Sequence, residues 1–210
     1  MQRREFSHTL LGAGAGWALL GMGTSQAQTA ALREGSDYRR LANPVPVEAP
    51  ANQVEVLEFF SYTCGHCFQF EPMLKTWVQQ KPAFVSFRRV PVFSEPFQRV
   101  YYALEAIGQL EAAHDKLFQM FHVGRVRPKG TSSAEMGEWV AQAGVDSARF
   151  VAAYQSFAVN GKVKRASMLS DAYQVEGTPA VGVAGRFLVP GQAERTLPIV
   201  NALIASVRKG

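Results

Sequence analysis

Residues 54–67 have the sequence VEVLEFFSYTCGHC, in which an apolar run leads directly into a pair of cysteines. Apolar and polar residues do not alternate cleanly over Val54–Phe60, which predicts a β-strand buried on both faces. The apolar spacing that follows predicts a helix beginning near Cys64. Cys64 and Cys67 are the two cysteines of the chain. A pair at this spacing, opening a helix, can carry two electrons as dithiol and disulfide.

A structural disulfide is the competing interpretation of the pair. Such a bridge stabilises a protein by closing a long loop, whereas this one would enclose only Gly65 and His66. With 210 residues, of which 47% are apolar, the chain is large enough to form a core without a bridge of that size. The residues therefore favour a redox-active pair.

The N-terminus has the features of an export signal. A basic pair, Arg3-Arg4, precedes an uncharged apolar run over 9–23, and Ser25-Gln26-Ala27 supplies small residues for cleavage. We expect residues 1–27 to be a signal peptide that is cleaved after Ala27, so that the mature protein is exported. An uncleaved membrane anchor is the alternative, and the general secretory and twin-arginine routes both stay open.

The order of elements favours one fold class. Residues 28–52 are polar and contain prolines, which suggests an extended lead-in with one edge strand. After the first strand and helix comes a second strand near 84–92, and helical spacing then recurs up to Val175. Two short strands and a final helix complete the order β-α-β, helices, β-β-α.

This order predicts an α/β thioredoxin fold, a central mixed sheet flanked by helices, with an inserted α-helical domain. The predicted divisions of the mature chain are 28–94 for the first part of the thioredoxin-like domain, 95–170 for the insertion and 171–210 for the second part.

The two cysteines are expected to differ in reactivity. At the first turn of a helix, the sulfur of Cys64 would face unpaired backbone N–H groups and the positive end of the helix dipole, which favour the thiolate. Cys67 lies one turn further on the same face and can resolve a mixed disulfide. His66 would add positive character beside Cys64, unless it is a solvent-facing spacer. A buried Glu58 could accept the proton of Cys67, unless it is a partly exposed strand residue.

Metal and nucleic-acid sites find less support. A structural zinc site needs four ligands, and His114 and His122 are isolated from the cysteine pair in the sequence. We therefore predict no metal, with transient copper binding by the two thiolates as the alternative, and interpret both histidines as ordinary helix residues. The net charge of +5 is scattered along the chain, which favours solvated surfaces over a nucleic-acid interface.

Three segments, 56–61, 64–67 and 69–71, resemble the DsbA family of periplasmic thiol:disulfide oxidoreductases. The resemblance continues to Thr178-Pro179 and covers the mature chain. It implies a thioredoxin fold with a helical insertion, Cys64 as nucleophile, and Thr178 with a cis Pro179 holding extended substrate chains. It further implies that Glu58 is the family's buried acid and His66 its thiolate-stabilising histidine.

The same resemblance implies a function. A member of this family donates its disulfide to newly exported proteins in the periplasm, needs no cofactor beyond that disulfide, and is reoxidised by a quinone-linked membrane partner resembling DsbB. We therefore expect a protein disulfide oxidoreductase, specifically a dithiol oxidase, that takes unfolded or folding exported proteins as partners.

Two residues depart from the family pattern and bear on redox tuning. Gly65 stands where many members have proline, and Thr178 stands where oxidases often have valine; both residues occur in isomerase relatives. Dimeric isomerases carry an N-terminal dimerisation domain, however, and only about 25 residues separate Ala27 from the first core strand. The sequence thus favours a monomeric oxidase. An isomerase or reductase of the same fold is the second hypothesis, and a non-catalytic metal- or client-binding module is the third.

Overall fold

The computed structural model describes residues 32–209, and the predicted signal peptide, 1–27, lies outside this range. None of the helices between residues 32 and 209 combines the length and apolar character needed to cross a membrane. The elements are β1 (Arg39–Arg40), β2 (Val54–Phe60), α1 (Gly65–Gln80), β3 (Val85–Pro91), α2 (Glu95–Ala106), α3 (Leu110–His122), α4 (Ser133–Ala141), α5 (Ser147–Tyr154), α6 (Phe157–Ala172), β4 (Ala180–Val183), β5 (Phe187–Pro190) and α7 (Thr196–Lys209), with a short 3₁₀ helix at Ala193–Arg195.

Strand β2 lies inside the sheet, whose strand order is β1-β5-β4-β2-β3. It pairs in parallel with β3 and antiparallel with β4, so it has a neighbour on each side. All seven of its residues are buried, which confirms the strand predicted from the unbroken apolar run. The predicted edge strand is β1, which pairs antiparallel with β5. The sheet is mixed, as expected for a thioredoxin fold.

The sheet is covered on both faces, and two apolar clusters fill the space. One cluster joins Val54 and Val56 of β2 to Leu74 of α1 and to the buried face of α7. The other joins Leu57 and Phe59 to the helices that lie between β3 and β4. Burying each of these side chains contributes about 1.5–3 kcal/mol. Together the clusters fix α1 against the sheet, and with it the position of the cysteines.

Five helices, α2 to α6, connect β3 to β4 and span Glu95–Ala172. The predicted insertion, 95–170, falls on these helices. The last of them is shorter than the sequence pattern suggested: α6 ends at Ala172, whereas the apolar spacing predicted a helix up to Val175. The reason is local, since Gln174 has a left-handed backbone (φ 53°) that a helix cannot continue through. The N–H of Val175 instead donates to the carbonyl of Ser170.

Candidate active site

Cys64 is the N-cap of α1. Strand β2 ends at Phe60, a short turn follows, and Cys64 has an extended backbone (φ −88°, ψ 118°) before the helix begins at Gly65. Its sulfur accepts a hydrogen bond from the backbone N–H of Cys67 at 3.4 Å. The cysteine thus takes the place of the usual capping oxygen and lies at the positive end of the helix dipole.

The two thiols differ sharply in exposure. Both cysteines are free thiols; Cys64 is half-buried, whereas Cys67 is fully buried on the inner face of the same helical turn. A molecule approaching from solvent can therefore reach the sulfur of Cys64 and not that of Cys67.

The acidities of the two thiols differ as well. Partial burial raises the pKa of Cys64, but hydrogen bonding with Thr178 and Cys67 outweighs this effect, so its pKa lies below the ordinary value. A hydrogen bond from the backbone N–H of His66 acts in the same direction. Burial raises the pKa of Cys67 far above its ordinary value, and the negative charge of Glu58 adds to this effect. The arrangement favours a thiolate at Cys64 and a neutral thiol at Cys67.

The loop before β4 completes the surroundings of Cys64. Its thiol donates to the carbonyl oxygen of Thr178 at 3.2 Å, although 114 residues separate the two in the chain. The peptide bond between Thr178 and Pro179 is cis, as the family resemblance implies. The structure therefore brings three predicted residues, Cys64, Thr178 and Pro179, to one place.

Gly65 and His66, between the cysteines, are both exposed. A Cβ atom on Gly65 would meet no other atom within 4 Å, so the position has room for a larger residue. The hydrogen bond that His66 supplies to the Cys64 thiolate comes from its backbone N–H rather than from its imidazole. Its side chain borders a groove beside the active site.

That groove has a volume of about 970 Å³ and lies between α1 and the Thr178–Pro179 loop. Apolar side chains in its lining include Phe70 and Met73 of α1 and Leu188 of β5. Polar side chains, among them Gln69 and Gln174, border the groove beside these apolar ones.

Glu58, the predicted buried acid, is only 1% exposed. It lies opposite Arg89 in the parallel register of β2 and β3, and Arg89 Nε donates to Glu58 Oε2 at 3.0 Å. Burial raises the pKa of Glu58 to about 8, because loss of hydration outweighs the attraction of Arg89. The alternative of a partly exposed strand residue is therefore wrong.

Four further residues of this region were not predicted as site residues. Arg89 also donates to Glu71 of α1, and His114 of α3 lies on the other side of that carboxylate, with Nε2 3.7 Å from Glu71 Oε2. The second ring nitrogen of His114 is 2.8 Å from the hydroxyl of Tyr62. His114 lies within a helix, as predicted, and is buried there. The available sequence signal was a pair of charges in two apolar strands, Glu58 and Arg89, which need each other once both strands are buried.

Between residues 32 and 209, no three His, Cys, Asp or Glu side chains are grouped so that they could hold a metal ion. The chemistry that the described site offers is that of its two sulfurs.

Comparison with known proteins gives a consistent result. The family model described as "DSBA-like thioredoxin domain" matches residues 90–198. The thiol:disulfide interchange protein DsbA of Bordetella pertussis is 36% identical, with 100% of each chain covered, and that of Pseudomonas aeruginosa is 35% identical over 83% of this chain and 85% of its own length. Among solved structures, oxidoreductase DsbA from Xylella fastidiosa has a TM-score of 0.79 and 32% identity, covering 85% of this chain and 99% of that one.

Proposed function

The chain belongs to the DsbA family and is a thiol:disulfide oxidoreductase, and from this premise we propose that it donates the Cys64–Cys67 disulfide to exported proteins through a mixed disulfide at Cys64. The observation that carries the proposal is the contrast between an accessible, acidic Cys64 and a buried, weakly acidic Cys67. Only one of the two sulfurs can be attacked from outside.

The exchange proceeds in two displacements. A client thiolate attacks Cys64 Sγ of the oxidised enzyme; the S–S bond to Cys67 breaks, and Cys67 leaves with the electron pair and takes up a proton. A second client thiolate then attacks the client sulfur of the mixed disulfide and releases Cys64 as a thiolate. The client has lost two electrons, which the enzyme now holds as a dithiol.

Glu58 is proposed to exchange this proton with Cys67. Its negative charge contributes to the raised pKa of Cys67, so the two groups interact electrostatically. A carboxyl group whose pKa lies near the working pH is suited to giving a proton during reduction and to taking it back during reoxidation.

Thr178 and Pro179 are proposed to hold the client chain beside Cys64. They border the groove of about 970 Å³, whose apolar lining would bind an unfolded segment. Gly65 and His66 are proposed to tune the redox pair, His66 through its backbone N–H and through any charge on its exposed ring.

The wider setting is also a proposal. The family implies cleavage after Ala27, residence in the periplasm, reoxidation by a DsbB-like quinone-linked membrane oxidase, and no cofactor beyond the disulfide. We propose a monomer without affinity for nucleic acid, built as a thioredoxin-like domain (28–94 and 171–210) with a helical insertion (95–170).

An isomerase or reductase of the same fold is the second candidate, and it is favoured by the identities of Gly65 and Thr178. The redox potential separates the two. The purified mature protein should be equilibrated with glutathione buffers and the Cys64–Cys67 potential determined. A value near about −120 mV would support the disulfide donor, and one near about −270 mV would contradict it in favour of a reductase.

Replacing Cys67 with Ser tests the mixed disulfide itself. When clients that already carry disulfides are offered, the Cys64 thiolate of the variant should displace one client sulfur, and the adduct should accumulate because no Cys67 thiolate is present to displace the client again. The additional Cys64→Ser replacement should abolish them. If Cys67→Ser forms no adducts, the proposed mechanism is wrong and a binding module gains support.

A further inference from the structure

Tyr62, two residues before Cys64, is held at both ends by histidines of α3. Its hydroxyl lies 2.8 Å from His114 Nδ1, and its carbonyl oxygen accepts a hydrogen bond from His122 Nε2 at 2.9 Å. Tyr62 is completely buried. One helix of the insertion therefore fixes both the backbone and the side chain of the turn that carries Cys64.

The other edge of the His114 imidazole approaches the group of charged residues that includes Glu58. Its Nε2 lies 3.7 Å from Glu71 Oε2, and Arg89 links Glu71 to Glu58. An ionised carboxylate only accepts hydrogen bonds, so the tautomer with a proton on Nε2 suits Glu71 and leaves Nδ1 to accept from the Tyr62 hydroxyl. The imidazole thus bridges the Cys64 turn and the buried acid near Cys67.

His114 is 6% exposed and Glu71 is 7% exposed. Among the described residues, Glu71 Oε2 and His114 Nε2 are buried atoms without a hydrogen-bond partner. Both residues border a small pocket of about 160 Å³. Each atom therefore faces the other as a polar neighbour at 3.7 Å, with no shorter hydrogen bond competing for it.

We propose that His114 is a positioning residue for the thiol exchange proposed above: it anchors the Cys64 turn through Tyr62 and sets, through Glu71 and Arg89, the charge of Glu58. The inference rests on the proposed function, since it assigns a residue of the insertion to the same reaction.

The expected coupling has a definite sign. The negative charge of Glu71 raises the pKa of Glu58. Without the Nε2–H of His114, the surroundings of Glu71 favour that negative charge less, so Glu58 should ionise at lower pH. The pH dependence of exchange at Cys67 should move to lower pH accordingly. The charged and titratable groups facing His114 or its pocket are Tyr62, Glu71, Lys75, Arg89 and Tyr101 from other elements, and Glu111 and Asp115 from α3 itself.

The test compares His114→Phe with His114→Gln. Phe keeps the ring volume but offers no hydrogen bond, whereas the Gln amide can still donate to Glu71. The rate at which glutathione reduces the disulfide is measured between about pH 5 and 9, together with the equilibrium constant of that reaction. His114→Phe should shift the midpoint of the rate profile downward by about one pH unit. His114→Gln should keep a midpoint close to that of the wild type.

Phe150→Leu is the matched control, because Phe150 is a fully buried residue of α5 and is not part of these contacts. It should lower the stability of the insertion without moving the pH profile. If a folded His114→Phe keeps the wild-type profile and equilibrium constant, the role of His114 is purely structural and the proposal is wrong.

Glu71→Gln tests the same step if His114→Phe does not fold. It should produce the same downward shift, because it removes the charge through which His114 acts, and adding His114→Leu, which cannot donate, should cause no further change. An unchanged profile in Glu71→Gln, or a further shift in the double variant, would overturn the proposal. These outcomes differ from failure of the proposed function, in which the Cys67→Ser variant forms no mixed disulfides.

Discussion

Glu58 and Arg89 lie directly opposite each other on two parallel strands, and the guanidinium of Arg89 donates to the carboxylate of Glu58 at 3.0 Å. Arg89 also donates to Glu71, so one partly buried cation serves two buried carboxylates. Burial is the main reason that the pKa of Glu58 stays raised despite the ion pair, and the negative charge of Glu71 adds to the effect. When both carboxylates are ionised, they carry one negative charge more than Arg89 neutralises, and the charge of Glu58 raises the pKa of Cys67.

Glu58→Gln should change how stability depends on pH. Between its ordinary pKa of 4.5 and about 8, folded Glu58 keeps a proton that the unfolded chain has lost. Wild-type stability should therefore fall as pH rises through this window, by on the order of 4 kcal/mol, relative to Glu58→Gln. Urea unfolding of the reduced proteins at a series of pH values measures this difference. If the free energies of unfolding of the wild type and of Glu58→Gln change with pH in parallel, the pKa of Glu58 is not raised in the folded protein.

Arg89→Leu should be strongly destabilising. It leaves two carboxylates buried without their cation, which costs about 3–5 kcal/mol in comparable sites. Arg165→Leu is the control, because Arg165 is largely exposed and its contact with Glu48 is 3.9 Å long; such a change should stay within about 0.5 kcal/mol. If both variants lower the unfolding midpoint equally, the ion pairs of Arg89 contribute no more to stability than an exposed contact does.

Thr178→Val should raise the pKa of Cys64. Partial burial opposes ionisation of this thiol, and the side chain of Thr178 makes the largest contribution in its favour. Thiolate formation, followed by ultraviolet absorbance during a pH titration, should therefore need higher pH in Thr178→Val than in Thr178→Ser, which retains the hydroxyl. A less stable thiolate also makes the disulfide less oxidising. An unchanged titration in the Val variant would exclude this role for the side chain.

Gly185→Ala should destabilise the turn between β4 and β5 without affecting the redox pair. Gly185 has φ 65°, and a Cβ atom there would overlap the carbonyl oxygen of Val45. The loss should exceed that of Gly108→Ala, which has φ 71° but open space around it and should cost about 1–2 kcal/mol from backbone strain alone. Thermal unfolding of both variants, with the glutathione equilibrium constant as a check on the site, measures the difference.

The sequence predicts the local features of the site well. Strand β2, the position of Cys64 at the start of α1 and the late strands β4 and β5 each depend on short patterns that are present in the chain itself. Such features are set by neighbouring residues, which is why spacing and turn chemistry suffice.

The polar contacts beneath the site could not be predicted in the same way. Whether Glu58 meets Arg89 depends on the register between two strands, and whether His114 meets Glu71 depends on how α3 packs against α1. Neither arrangement leaves a signal at fixed spacing. The family resemblance identified Glu58 as a buried acid, but the cation and the imidazole that determine its charge required the three-dimensional structure.

The contact between Cys64 and the carbonyl of Thr178 joins residues 114 positions apart, and this separation sets the order in which the site is completed. A polypeptide is synthesised from its N-terminus, so both cysteines exist long before the loop that covers them. A nascent chain that stops short of residue 178 carries the thiols and lacks the partner that shapes their reactivity. Until then Cys64 lacks one of the contacts that set its reactivity, and the site is complete only when the last strands have been made.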